Sequence, residues 1–403
     1  MFSLISVLML FIVFIAFNIP KLPVVLYFIS FLLFSIALDG NEIGLWDYMY
    51  VHNDAINTLN VYFYWFSFLV SFIVFCFFLR TKGRKNFTLD IYSRGVNLVL
   101  LRNIARSFAV VAILATILNV SRVGDIQLMF LAPREWEKTF GRYVILNYLY
   151  FLHLCAIPLF ICYFKHPLIN FLKFKEKILD VILFFLCIIV SFFHGIKFTV
   201  LHAFVFAAFS LYIFSNFKFN KYIYILAFTF LSFIVLFFIF VRGGGVGGML
   251  GYIASASVNS IYLINVNEFY NVGEFSSFFP FFDPDFISKI VDRLSGEFQS
   301  KGVDDSSGFF LNDKFNLFSG LTILSFTGPV GFVFWSMLLS ILIKKMYNLN
   351  SLGKCFLLLH LLNVCLMLFT AWEFYKLKLI YVLLVGHVVS LYVMNCKQCN
   401  EKT

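Results

Sequence analysis

The run Val61–Leu79, VYFYWFSFLVSFIVFCFFL, contains no charged residue, and its few polar groups are serine and tyrosine hydroxyls, one indole and one thiol. A helix needs about 20 predominantly apolar residues to cross about 30 Å of hydrocarbon, and this run has that length. Apolar on every side, it keeps no face for water. Helical periodicity is uninformative in such a run, so its length and its flanking charge decide the reading. Arg80, Lys82, Arg84 and Lys85 follow immediately, as expected where a span ends on the cytoplasmic side.

Runs of the same kind recur on both sides. Met1–Phe17 and Leu22–Leu38 precede it; Ile104–Val120, Tyr143–Phe164, Ile178–Phe193, Phe198–Ser215, Tyr222–Val241, Leu321–Ile343, Cys355–Ala371 and Leu379–Asn395 follow. The chain is 61% hydrophobic and 13% charged, with a mean hydropathy of +0.91, outside what a soluble domain can hide from water. The expected fold class is therefore all-α: a polytopic integral membrane protein of about 11 transmembrane helices with one long extracytoplasmic loop. Residues 1–241 form an N-terminal transmembrane bundle, 242–320 the long loop with an interfacial helix, and 321–403 the C-terminal transmembrane helices and a short tail. Met1–Phe17 has no basic residue ahead of it and no small-residue cleavage site behind it, so it reads as an uncleaved helix.

Charge orients the chain. With the C-terminus in the cytoplasm, alternation puts the basic residues from Arg80 to Arg106, Lys165 to Lys177, Lys218, Lys221 and Lys344 to Lys354 inside. The acids on that side are only Asp90, Glu176, Asp180 and Glu401. Loops rich in Lys and Arg stay cytoplasmic, so the N-terminus and the long loop lie outside. The net charge of +10 is thus a topology signal and implies no nucleic-acid partner.

Cations that remain outside work against that bias. Arg122, Arg134, Lys138 and Arg142 follow the fourth span, with Trp136 at an interfacial position. Lys197 ends the turn His194-Gly195-Ile196-Lys197; Arg242 and Arg293 belong to the long loop; Lys376 and Lys378 follow Glu373. Phosphate is a natural partner, since arginine offers a planar fork and lysine a point charge. Snorkelling to lipid headgroups is the competing reading for each.

The long loop opens with Arg242 and the glycine run Gly243-Gly244-Gly245-Val246-Gly247-Gly248. The embedded G-x-G-x-x-G follows a membrane span instead of a strand, which excludes a dinucleotide site. A flexible exit from the bilayer and a row of backbone N–H groups facing an anion both remain open. Met249–Asn265, with Tyr252, suits a helix lying in the outer interface, and Leu89–Arg102 its counterpart inside. Phe278–Phe286 (FFPFFDPDF) places Asp283 and Asp285 among aromatic rings. That pattern suits sugar rings, by stacking and hydroxyl acceptance, as well as packing on a membrane.

No cysteine lies in an outer loop, which argues against a disulfide framework. Cys396-x-x-Cys399 stands alone in the tail. His153, His202, His360 and His387 lie within spans and read as packing residues. His194 sits at the outer boundary. No metal motif is present, and no cofactor is expected.

The layout, with Gly195-Ile196-Lys197-Phe198, Tyr252-Ile253-Ala254-Ser255 after Arg242, and Phe326-Thr327-Gly328-Pro329-Val330-Gly331, resembles the bacterial oligosaccharide repeat-unit polymerases, the Wzy or O-antigen polymerase family. The spaced Arg-x-Gly repeats of some members are not evident in these loops. The resemblance implies metal-independent glycosyl transfer at the periplasmic face of the bacterial inner membrane, with a periplasmic N-terminus and a cytoplasmic C-terminus. Donor and acceptor would be undecaprenyl-pyrophosphate-linked glycans in membrane lipid, and a chain-length regulator protein is a candidate partner. Arg122, Arg242 and Lys197 would stabilise the leaving pyrophosphate. His194, Glu373 or a loop carboxylate would orient or deprotonate the acceptor hydroxyl. Arg134, Arg142, Arg293, Tyr252, Asp283 and Asp285 are the candidate substrate-binding residues. Two rivals share the layout: an O-antigen ligase, and a lipid-linked oligosaccharide flippase or other transporter. Scarce interior charge and the large outer loop favour an enzyme over a transporter.

Overall fold

The computed structural model describes residues 2–17, 19–39, 58–80, 96–131, 133–167, 169, 174–194, 197–218, 225, 228–229, 232, 320–347, 349, 351–368 and 377–395. Among them there is no β-strand. The helices are α1 (Phe2–Ala16), α2 (Lys21–Asp39), α3 (Thr58–Leu79), α4 (Leu98–Val123), α5 (Ile126–Leu131), α6 (Pro133–Gly141) and α7 (Val144–Tyr150). Then come α8 (Leu152–Phe164), α9 (Phe174–Val190), a 3₁₀ turn (Ser191–His194), α10 (Lys197–Phe214), α11 (Gly320–Met346), α12 (Leu352–Met367) and α13 (Leu377–Asn395). Each apolar run read from the sequence is helical, except Tyr222–Val241, which lies almost wholly outside the described residues.

Among the described residues, four stretches are long and apolar enough to cross a membrane: Tyr62–Leu79, Leu98–Val123, Val144–Phe164 and Lys177–His194. Outward faces carry large exposed apolar side chains, among them Phe11 of α1, Phe66 of α3, Ile117 of α4, Phe185 of α9 and Val388 of α13. Such a surface is compatible with hydrocarbon, where exposed apolar area carries no penalty.

Packing follows simple side-chain logic. Helices α1, α2 and α3 alternate in direction. Ser6 Oγ lies 2.7 Å from Ser35 Oγ, and the Trp65 indole N–H donates to Ser35 Oγ at 2.9 Å, so polar groups of all three helices satisfy one another inside the bundle. Tyr27 stacks on Phe75, with centroids 4.5 Å apart, and its hydroxyl reaches Ser336 Oγ of α11 at 2.7 Å. Helix α11 runs parallel to α3: Phe68 meets Phe332 at 5.3 Å, and Lys344 Nζ donates to the Phe78 and Arg80 carbonyls that end α3. A cation on the last carbonyls of a helix satisfies orphan acceptors and opposes the helix dipole.

The second half is built around α4 and the α7–α8 pair. Helix α4 buries Ala105, Ala109, Ala112, Thr116 and Asn119, and this small-residue stripe admits close approach of its neighbours. Antiparallel register is marked at both ends, by Arg102 over the Tyr163 ring (5.7 Å) and Arg122 over the Tyr143 ring (4.7 Å). Helix α9 runs beside α4 and parallel to it, because Asp180 near its start takes both Arg102 and Arg106. Helices α12 and α13 interlock through glycine: Gly353 faces the His387 ring and Gly386 faces the Phe356 ring.

The structure refines three sequence readings. The stretch Leu89–Arg102 was expected to form a helix lying in the interface; residues 98–102 belong to α4, and 89–95 lie outside the described residues. Asn97 caps that helix by accepting from the Leu100 N–H at 3.1 Å, and Asp180 neutralises the arginines. The run Tyr143–Phe164 contains the span Val144–Phe164, which passes from α7 to α8 at Phe151, whose N–H is shared between the Asn147 and Tyr148 carbonyls. Trp136 does not face outward. It is fully buried, and its indole N–H donates to the Phe193 carbonyl at 3.0 Å.

Candidate functional site

The bundle has two chemically unlike ends. One gathers the end of α4, helices α5 and α6, the start of α7, the 3₁₀ turn and the starts of α10 and α13; it is called here the His194 end. The other gathers the starts of α4 and α9 and the end of α8, and is called the Asp180 end.

At the His194 end, Gly124 with φ 79° closes α4, and its N–H bonds the Val120 carbonyl. Positive φ is cheap only for glycine, and here it turns the chain sharply into α5. Asp125 caps α5 by accepting from the Gln127 and Leu128 N–H groups at 2.8 and 3.2 Å. Arg122 is exposed in the last turn of α4, with its guanidinium held by the Tyr143 ring. Arg142 is exposed in the turn before α7; Arg134 lies on α6 and Lys197 opens α10. With Lys138 of α6 and Lys378 of α13, six of the cations singled out in the sequence belong to this end of the bundle. Arg242, Tyr252, Asp283, Asp285, Arg293 and Glu373 lie outside the described residues.

His194 is the centre of this end. Helix α6 is amphipathic: Trp136 and Phe140, one turn apart, are buried, while Glu135, Lys138 and Thr139 are exposed. Phe140 lies 4.9 Å from the His194 ring, Tyr150 stacks on it at 5.0 Å, and Phe151 meets it edge-on at 5.5 Å. His194 is fully buried within this cage. Its Nε2 lies 3.1 Å from Asn147 Oδ1. In the Nε2–H tautomer the ring donates to that oxygen and Nδ1 keeps a lone pair. That Nδ1 is buried without a hydrogen-bond partner. Chemically it is a base enclosed by aromatic rings; use of it by a substrate requires displacement of one of them.

Two neighbours complete the cluster. Lys378, at the start of α13, holds its ammonium 5.0 Å from the Phe151 ring centroid. His153 lies one turn deeper, with Nδ1 2.7 Å from the Tyr150 carbonyl, in keeping with its reading as a packing residue; its Nε2 has no partner. Asn147 was not singled out in the sequence. An asparagine in an apolar run was the available signal, but only the fold brings it to His194.

The Asp180 end is neutralised differently. Asp180 is fully buried and receives Nε–H bonds from Arg102, at 2.8 Å, and from Arg106. Arginines one turn apart on α4 thus share one carboxylate. Among the described residues, no cluster of three or more His, Cys, Asp or Glu is arranged to hold a metal ion.

No protein-family model, curated protein or solved structure matches this chain.

Proposed function

We propose that this chain polymerises undecaprenyl-pyrophosphate-linked oligosaccharide repeat units, an O-antigen or related surface polysaccharide, at the periplasmic face of the bacterial inner membrane. In this reading it crosses the membrane about 11 times, with its N-terminus and long loop outside. The observation that supports it most is the pairing at one end of the bundle of an exposed, ring-held Arg122 with a histidine whose Nδ1 has no hydrogen-bond partner.

The chemistry requires both kinds of group. The acceptor hydroxyl oxygen attacks the anomeric carbon of the donor glycan. The bond from that carbon to the pyrophosphate oxygen breaks, and its electron pair leaves with the lipid pyrophosphate. Arg122, with Lys197 and Arg242, stabilises that departing charge, which lies at headgroup depth where helix ends are found. Arg134, Arg142 and Arg293 bind the same lipid phosphates, and Tyr252, Asp283 and Asp285 bind sugar. The hydroxyl proton passes to a base, for which His194 and Glu373 are the candidates. A chain-length regulator is the protein partner this reading allows.

Purified chain supplied with a lipid-linked repeat unit tests the reading. A polymer ladder is expected from wild type. The Arg122→Ala and Arg242→Ala variants should each lose about 100-fold in rate, in the range found for removing one charge-stabilising donor. Arg122→Lys should recover only part, since a point charge does not grip phosphate as a fork does. A single transfer to lipid A core would make the chain a ligase. Repeat unit left unconsumed by wild type would overturn glycosyl transfer altogether.

A further inference from the structure

The outward face of α4 carries Val99, Val110, Leu114 and Ile117, with one polar interruption. Asn103 and Ser107, one turn apart, are exposed within it, and Arg106 borders them on the side of α9. Residues three and four apart are neighbours on a helix surface, so the three side chains form one patch. Among the described residues, the side chains of Asn103 and Ser107 have no hydrogen-bond partner. An amide and a hydroxyl facing hydrocarbon unpaired cost free energy that apolar residues at the same positions would avoid.

Arg106 is held in place yet keeps donors to spare. Its Nε–H goes to the fully buried Asp180 carboxylate, while 28% of its side chain remains exposed. A guanidinium has five N–H donors, and this carboxylate takes the one on Nε. A snorkelling arginine is free to follow any headgroup. This one is pinned, so its remaining donors are presented at a fixed place, which lowers the cost of binding there. Charge at this end favours an anion: Arg102, Arg106, Lys175 and Lys177 of α4 and α9 stand against Glu176 and Asp180.

Depth narrows the choice of anion. Leu98–Val123 is long and apolar enough to cross a membrane. At about 1.5 Å per residue, Asn103 and Ser107 lie roughly 8 and 14 Å from its start, in the headgroup-side half of one leaflet. We propose that Asn103, Arg106 and Ser107 bind the phosphate of an anionic phospholipid in the leaflet at the Asp180 end. All three side chains can donate, and a phosphodiester oxygen only accepts. The acyl chains lie along Val110, Leu114 and Ile117, which continue the same face towards the middle of the span. This site stands apart from glycosyl transfer, whose phosphates belong to the His194 end.

Delipidated full chain in detergent tests the site by native mass spectrometry. It is titrated with phosphatidylglycerol, with phosphatidylcholine of the same acyl chains, or with inorganic phosphate. Wild type is expected to bind phosphatidylglycerol about tenfold more tightly than phosphatidylcholine, in the range of charge-assisted hydrogen bonds. Inorganic phosphate should leave that lipid bound. Arg106→Gln should remove the preference. The double variant Asn103→Leu, Ser107→Leu leaves the Asp180 pairs untouched and should reduce the preference about threefold, even should the arginine variant not fold. Equal binding of the two phospholipids by wild type, or an unchanged preference in either folded variant, would overturn the site. Displacement of the lipid by inorganic phosphate would overturn the lipid assignment in favour of a soluble anion.

Discussion

Two carboxylates show what single residues contribute. Asp180 carries no exposed side-chain area, whereas Arg102 and Arg106 keep 27% and 28% of theirs. Removing one partner of a buried ion pair strands the remaining charge. Asp180→Asn should therefore lower stability by about 3 kcal/mol, the low end of the usual range because the arginines retain some solvent. Thermal unfolding in detergent measures it, and the triple replacement Arg102→Met, Arg106→Met, Asp180→Leu should regain most of the loss. Asp39 stands just beyond the apolar run Lys21–Ile36. Burial raises its pKa, but hydrogen bonds, the largest from the N-terminal amino group and the others from the Ser3 hydroxyl and the Ser3 and Phe2 N–H groups, outweigh that and bring it down to about 2. A depressed carboxylate stabilises fully above its unfolded value of about 4 and loses that contribution as pH falls through its folded value. The attachment of α1 to α2 should accordingly weaken between about pH 4 and pH 2, and Asp39→Asn should lack that transition. A pH series of unfolding curves for the two proteins decides it.

Among elements, the α12–α13 pair depends on small residues at its contact. A Cβ at Gly386 would enter the Phe356 ring, which is itself 1% exposed and has nowhere to move. Gly386→Ala should cost about 2 kcal/mol as overpacking, against the slight gain that alanine brings to an unhindered helix. Chain direction carries a second element-scale consequence. Phe217, just past α10, meets Tyr347, just past α11, at 5.0 Å, so both helices finish at the same end. The chain thus leaves α10 at one end of the bundle and enters α11 at the other. The sequence run Tyr222–Val241 is of the length that such a traverse needs.

At the scale of the whole molecule, Arg122, Arg134, Arg142 and Lys197 lie at the opposite end from the neutralised Arg102 and Arg106. The positive-inside reading assigns the Asp180 end to the cytoplasm. Cysteines introduced at Ser276 and Ser306 should then react with an impermeant reagent in intact cells, and a cysteine at Asn86 should not. Labelling at position 86 alone would invert the orientation and remove the case for chemistry at the outer face.

Composition and run length determined the helical class, because hydrocarbon-length apolar segments can satisfy their backbone only as helices. That logic placed α1, α2, α3, α10, α11, α12 and α13 close to where they are found. Charged residues at the edges of runs were harder to read. Arg102 and Arg106 looked like the end of a span, since only tertiary contact with Asp180 lets α4 carry them. The burial of Trp136 was not readable, because amphipathicity alone does not tell which neighbour covers an aromatic face. His194 could be singled out by its boundary position, but its tautomer, its cage and its partner Asn147 depend on helices distant in sequence. Asn103 and Asn119 gave no local signal at all. Whether an amide in an apolar run faces outward, as Asn103 does, or is buried without a partner, as Asn119 is, is a property of the assembled bundle.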